Sequence, residues 1–170
     1  MLFQDEARFG QQGTLSTVWA PTGSRPTVIR QNGRRSIWVF AVVEPATGWS
    51  MAMISRHANT ESMQTFLDRT ASRIKPREHA VMILDGAGWH RANELRWPKR
   101  ITPLFLPPYS PELNPVERLW LWFRNNDWSN RVFADEAALI AAARASHRRL
   151  TRARVRSVCA APWATPAAHL

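Results

Sequence analysis

The 170 residues suffice for one domain with a hydrophobic core, and an apolar fraction of 45% argues against disorder. The charge is unusual: 23 Lys and Arg against 13 acids give a net charge of +10 and a pI near 11.5, which suits a polyanionic partner, nucleic acid foremost, or a merely basic protein of an arginine-rich proteome. A single cysteine, Cys159, excludes an intrachain disulfide and a thiolate zinc cluster and fits a reducing cytoplasm; no apolar run nears the roughly 20 residues that span a bilayer, and Met1-Leu2-Phe3-Gln4-Asp5 turns acidic too soon for a secretory signal.

Leu2 to Gln4 read as the end of a short strand leading into Asp5 and Glu6, followed by a polar, Gly-containing stretch from Gly10 to Thr17. Trp19-Ala20-Pro21-Thr22-Gly23 supplies a strand end and a turn, since Pro before Gly suits a tight reversal. Ser36 to Val43 is a buried strand, rich in Ile, Val, Trp and Phe; Pro45 to Gly48 turn the chain, and Trp49 to Ser55 return as the second arm of a hairpin. Asn59 or Thr60 can cap a helix running to about Lys75, with Met63, Phe66, Leu67 and Ile74 on one face and Pro76 as its stop.

Ala80 to Leu84 form another buried strand, ending at Asp85. A short helical segment is expected at Asn93 to Trp97, then a strand from Ile101 to Leu106 ended by Pro107 and Pro108. Asn114-Pro115-Val116-Glu117 has the residues of a helix start, and Val116, Leu119, Trp120 and Phe123 lie on one apolar stripe. A last helix spans about Asp135 to Leu150, acidic at its start and basic at its end. The tail after Thr151 is rich in Arg, then in Ala and Pro. A hairpin-rich first half followed by alternating strands and helices predicts an α/β protein, a mixed five-stranded sheet flanked by helices.

Three acids stand out by position. Asp5 ends the first strand, Asp85 ends the fourth just before Gly86, and Glu117 opens the helix after the fifth. Carboxylates at the C-terminal edge of strands lie where open α/β sheets bind ligands. If the first and fourth strands are neighbours, Asp5 and Asp85 come side by side, and their repulsion calls for a cation. Oxygen-only ligation suits Mg²⁺ or Mn²⁺ better than zinc, and two such ions can drive an in-line phosphoryl displacement. Each acid also has an ordinary reading: Asp5 as a solvated turn residue, Asp85-Gly86 as a turn pair, Glu117 as part of a capping box. Glu6 and Glu112 are rivals for the third position.

Phe3-Gln4-Asp5-Glu6, Leu84-Asp85-Gly86-Ala87-Gly88-Trp89-His90 and the run Leu106-Pro107-Pro108-Tyr109-Ser110-Pro111-Glu112-Leu113-Asn114-Pro115-Val116-Glu117-Arg118-Leu119-Trp120 resemble the mariner-type insertion-sequence transposases of the DDE endonuclease superfamily. The last run is the most specific. The resemblance covers nearly the whole chain, Trp19-Ala20-Pro21 and Ser157-Val158-Cys159 included. It implies a ribonuclease H-like catalytic domain over residues 1–150, a basic and then Ala/Pro-containing tail over 151–170, and a catalytic, metal-ligating triad of Asp5, Asp85 and Glu117. It, rather than spacing, favours Glu117 over Glu112. It also implies Mg²⁺ or Mn²⁺ as cofactor, two ions, with hydrolysis at element ends followed by attack of the freed 3′-hydroxyl on target DNA at a TA dinucleotide.

The second acidic motif of such proteins often reads Asp-Asn, whereas Gly86 follows Asp85 here. His90, Trp89 and Arg118 are expected as substrate-binding residues: His90 touching a phosphate or orienting water, or else a structural histidine, and Trp89 stacking on a base. Trp38, Trp49 and Trp120 are expected in the core. Arg144, Arg148, Arg149, Arg152, Arg154 and Arg156 form the densest basic cluster, a phosphate site or a solvated helix end. The resemblance implies DNA as partner, a homo-oligomer on it, a separately encoded helix-turn-helix subunit in place of an N-terminal recognition region absent from these residues, and a bacterial cytoplasmic, nucleoid-associated location with no membrane partner. Two other readings stay open: an inactive remnant binding DNA non-specifically, and a ribonuclease H-like nuclease.

Overall fold

A computed structural model describes residues 1–164. Five strands form one sheet: β1 (Leu2–Gly10), β2 (Ser36–Glu44), β3 (Trp49–Ser55), β4 (Ala80–Leu84) and β5 (Ile101–Phe105), in the order β3-β2-β1-β4-β5. β1 to β3 are antiparallel neighbours, whereas β1, β4 and β5 run parallel. The mixed five-stranded sheet expected from the sequence is thus present, and the first and fourth strands are neighbours.

The first strand differs from its expected bounds. It does not end before Asp5 but runs through Asp5 and Glu6 to Gly10, because β2 pairs with it from Phe3↔Val43 to Gly10↔Ser36. Acids are poor strand formers, yet a central ladder overrides that preference. Alternation then sends Phe3, Ala7 and Phe9 into the core on one face of the sheet, while Leu2 joins the core on the other.

Helix α1 (Thr60–Ala71) covers the second face with Met63, Phe66 and Leu67; Asn59 caps it by accepting the Ser62 N–H at 2.9 Å, and it stops at Ser72, short of Lys75. Helices α2 (Val116–Phe123), α3 (Glu136–Arg148) and α4 (Arg152–Val158) cover the other face. The stripe read from the sequence is buried: Val116, Leu119, Trp120 and Phe123 all belong to this core. Beyond Phe123 the helix widens into a π turn, Arg124–Trp128, which brings Trp128 under the end of β1, stacked on Phe9 with ring centroids 4.4 Å apart. Such a pair contributes about 0.5–1.5 kcal/mol beyond its buried area and ties β1 to the end of α2.

Trp120 is in the core under α2 to α4 as expected, whereas Trp38 and Trp49 are partly buried and pack against the core of the opposite, α1 face. The helix expected at Asn93–Trp97 is absent; that stretch is turns and extended chain, and a single 3₁₀ turn forms earlier, at Gly88–His90. Gly23, at φ +81°, completes the turn read after Pro21, but Trp19 before it is fully exposed and in no strand. The segment after residue 150 opens with α4, whose Val155, with the following Cys159, is fully buried in the core; residues 165–170 of the expected tail lie outside the described residues. No helix among the described residues is long and apolar enough to cross a membrane.

Candidate active site

β4 contributes only Met82 and Ile83 to its pairing with β1, opposite Leu2 and Phe3, so β1 runs on past the end of β4 with a free edge. Two residues beyond that register stand Asp5 on one strand and Asp85 after the other. The parallel pairing therefore sets the two aspartates level at the C-terminal edge of the sheet. Glu117 reaches the same edge through Asn114. This buried side chain donates from Nδ2 to the Gln4 carbonyl at 2.9 Å and accepts the Val116 N–H on Oδ1 at 3.1 Å. One amide thus pins the first turn of α2 to the strand position next to Asp5. Pro115 is already helical at the helix start, and Asn114 supplies the side-chain cap that the sequence suggested.

The outcome is a cleft of about 390 Å³ lined by all three acids, by Arg91, and by the loop from Leu106 to Pro111. The acids are held differently. Asp5 is half-buried and accepts a hydrogen bond from Trp120 Nε1 at 2.8 Å. Burial, together with the facing charge of Glu117, pushes its carboxyl up to about 8 despite that bond. Glu117 is exposed, and its carboxylate makes no hydrogen bond or ion pair among the described residues. Asp85 is 58% exposed and is anchored from below: His90 Nδ1 lies 2.8 Å from its Oδ1, and the Ala87 N–H donates to the same oxygen at 3.1 Å. The His90 hydrogen bond is the main reason that the Asp85 carboxyl is held below its usual range.

His90 is only 1% exposed, so it does not face the cleft as a phosphate ligand would. Its Nε2 lies 3.2 Å from Glu6 Oε1, an ion-pair contact too poorly aligned to count as a hydrogen bond. Burial alone would pull the imidazole down, but pairing with Asp85 and Glu6 outweighs it and raises His90 to about 9. Glu6 also accepts from Trp89 Nε1 at 2.5 Å and from Gln4 Nε2 at 2.7 Å. Strand alternation explains the division of labour: Asp5 looks toward α2, and Glu6, one residue on, looks toward His90 on the opposite face.

None of the three residues expected to touch substrate is among those lining the cleft. His90 supports Asp85 from the interior. Trp89 is half-buried, with its N–H committed to Glu6 and its ring packed edge-on with Trp38. Arg118 is exposed but lies outside the cleft, one step round the helix from Glu117 and toward the Cys159 thiol. Glu112 is exposed in the loop and does not line the cleft. In the basic cluster, Arg149 is paired with the buried Asp127, Arg154 lies over the Trp122 ring, and Arg156 donates to the Thr47 carbonyl at 3.2 Å.

Two cleft residues escaped the sequence reading. Arg91 is the cleft's one lining cation among the described residues; it lies over Phe105, 4.7 Å from the ring centroid, in the space beside Gly86. Tyr109 stands fully exposed on the rim with φ +58°, a left-handed conformation uncommon outside glycine. The flanking prolines Pro107, Pro108 and Pro111 were the available signal. Among the described residues, no three His, Cys, Asp or Glu side chains are gathered closely enough to hold one ion as they stand.

Comparison with known proteins accords with this geometry. A family model described as DDE superfamily endonuclease matches residues 1–140. An uncharacterized protein, y4pE/y4sA of Sinorhizobium fredii (strain NBRC 101917 / NGR234), is 44% identical over 98 residues, which make up 58% of this chain and 73% of that protein. Among solved structures, the pre-cleavage Mos1 transpososome matches with a TM-score of 0.68 at 14% identity, over 93% of this chain and 51% of the other. The Mos1 mariner paired end complex with Mn gives 0.65 at 14% identity, over 93% and 51%. A simian T-cell lymphotropic virus intasome in complex with PP2A regulatory subunit B56 gamma gives 0.50 at 14%, over 97% and 55%. At these identities the likeness shows a shared fold, the ribonuclease H-like one. The chain spans about half the length of the solved chains it matches.

Proposed function

The chain belongs to the DDE superfamily endonucleases, and from that membership we propose that it is the catalytic domain of a DNA transposase, cutting and joining phosphodiester bonds with Asp5, Asp85 and Glu117. The observation that carries the reading is the convergence of Asp5, Asp85 and Glu117 on one cleft. Burial and the facing charge of Glu117 both oppose the charge on Asp5 and raise its carboxyl to about 8. Such a site favours a cation.

The donor set fits a hard divalent ion, Mg²⁺ or Mn²⁺, held by Asp5, Asp85 and Glu117. When bound, two such ions supply activation of the attacking oxygen and stabilisation of the leaving one. The solved Mos1 paired end complex with Mn supports that choice. The chain's own residues do the positioning. Trp120 fixes the Asp5 carboxylate, His90 fixes Asp85, and Asn114 holds the helix start that presents Glu117. Glu117, without a hydrogen bond or ion pair among the described residues, is free to turn toward an ion held by the two aspartates. Arg91 offers a fork of donors for a phosphate oxygen entering the cleft. The substrate is DNA, hydrolysed at element ends and then joined to target DNA by the freed 3′-hydroxyl. End recognition falls to a helix-turn-helix region or subunit, and the working form is a homo-oligomer on DNA at the bacterial nucleoid.

Mn²⁺ binding by calorimetry and metal-dependent nicking of supercoiled plasmid test the assignment. Wild type is expected to bind Mn²⁺ and nick, and Asp5→Asn, Asp85→Asn and Glu117→Gln each to lose both. Equal Mn²⁺ binding by wild type and Asp85→Asn sinks the reading, leaving an inert basic DNA binder.

A further inference from the structure

The polar, Gly-containing stretch after β1 has a role that the cleft does not use. At the open end of the β1–β2 pair, Gln11 is buried and clamps the start of β2. Its N–H donates to the Arg35 carbonyl at 3.0 Å, its Oε1 accepts the Arg35 N–H at 3.3 Å, and its Nε2 donates to the Phe133 carbonyl at 2.8 Å. The packing needs glycines: a Cβ at Gly33 would sit 2.0 Å from Gln11 Oε1, and one at Gly10 would sit 2.9 Å from the Arg35 carbonyl. The Arg34–Arg35 backbone is therefore set by an interior residue rather than left to a loose loop.

Two adjoining hollows, of about 150 and 50 Å³, share Arg8, Gly10 and Gln12; the first is completed by Arg34 and Arg35, the second by Arg124. No carboxylate lines either hollow, and none of the four arginines forms an ion pair among the described residues. Like charges gathered without a counter-charge favour an anion. Arg8 is also oriented, its Nε donating to Ser36 Oγ at 3.0 Å.

The groove's position names the anion. Arg8 follows Asp5 by three residues on β1, about 10 Å further along at roughly 3.3 Å per residue, with its side chain on the opposite face of the strand and exposed. Arg124 follows Glu117 by seven residues, two turns on the same helix face, again about 10 Å at roughly 1.5 Å per residue. Two catalytic-cleft acids thus lead, along separate elements, to two arginines of one groove. A duplex carries one phosphate charge per roughly 1.7 Å of its axis, so a backbone leaving the cleft in this direction brings phosphates past the groove. We propose that this arginine groove is a second DNA-backbone site, holding phosphates of the duplex that flanks the bond cut in the cleft. The inference rests on the transposase reading above and adds a second backbone contact to it.

The test uses the whole chain and fluorescence anisotropy on two labelled duplexes, one ending at the nick position and one extending ten base pairs past it on both sides. Arg34→Gln/Arg35→Gln is expected to bind the long duplex at least tenfold more weakly, with the slope of log affinity against log salt reduced by about 2, as roughly 0.9 per lost phosphate contact requires. The difference between variant and wild type should vanish on the short duplex. Arg69→Gln/Arg73→Gln, which removes the same charge from α1, should bind like wild type. A double variant with unchanged affinity and slope, or a control that loses as much, overturns the proposal. Mn²⁺ binding separates the two claims: the arginine variant should keep it, whereas the cleft reading fails on Asp85→Asn whatever the groove does.

Discussion

His90 Nδ1 lies 2.8 Å from Asp85 Oδ1, a contact between a fully buried imidazole and a carboxylate more than half exposed to the cleft. The exposed acid is therefore steered from the protein interior. Because His90 is raised to about 9, it is an imidazolium at neutral pH, and it stands between Asp85 and the buried Glu6.

Removing that cation should be costly. His90→Ala leaves the buried Glu6 with its Trp89 and Gln4 hydrogen bonds but without its counter-charge, and losing one partner of a buried pair costs about 3–5 kcal/mol. Urea denaturation should report a loss of this size. Glu6→Gln preserves the shape and an acceptor for Trp89, so it should fold while lowering the His90 titration, read by NMR, and weakening Mn²⁺ binding through a less constrained Asp85. An unshifted His90 titration in Glu6→Gln would show that the pair carries no weight.

The metal-free protein should lose stability as pH rises. Asp5 is raised from 3.8 to about 8, so its contribution favours the fold below 3.8 and is lost as pH climbs to about 8. His90 acts in the same sense: raised from 6.5 to about 9, it contributes fully below 6.5 and loses that contribution through about 9. Asp85, held low, contributes above its usual value and loses that only in acid. Thermal melts should therefore fall between pH 5 and pH 9. Divalent ion at a hundredfold excess over Kd should restore about 2.7 kcal/mol at pH 8, roughly 5–10 °C in Tm. Asp5→Asn should flatten part of the pH profile and abolish the metal effect; a metal-independent Tm in wild type would contradict it.

Asn114→Ala breaks the link between the start of α2 and β1. It leaves the Gln4 carbonyl and the Val116 N–H without their partner, at about 2–3 kcal/mol for a buried polar group and a lost cap. Nicking should fall further than the folded fraction accounts for, because Glu117 loses its register with Asp5. A fully active, destabilised variant would separate the two roles.

Arg91 is expected to act on substrate rather than on the fold. Arg91→Ala should leave the urea midpoint within about 0.5 kcal/mol of wild type while raising the KM for plasmid nicking. Gly86→Ala should be tolerated, because the atoms a Cβ would meet at 3.0 Å are the mobile end of Arg91; a large loss of stability there would place Arg91 in the framework instead.

Much of this architecture was legible in the residues. Ala80–Leu84 and Trp49–Ser55 form as read, since short β-branched and aromatic runs between turn residues carry their own signal. The three acids were recognisable through their motifs, and the cleft does gather them. The continuation of β1 through Asp5 and Glu6 was not legible, because local preference for acids points to a turn and only pairing with β2 overrules it. Nor was the Glu6–His90 contact, which joins residues 84 positions apart in a pairing with no periodicity to announce it.

Chain order and residue type alone were enough for the class of fold, the candidate carboxylates and the positive charge, since each is a local or summed property of the polymer. The face on which each acid lies, the partner that orients it and the opening of a four-arginine groove beside the cleft came from strand register and packing. Those depend on which distant segments meet: a shift of one residue along β1 would exchange Asp5 for Glu6 in the cleft.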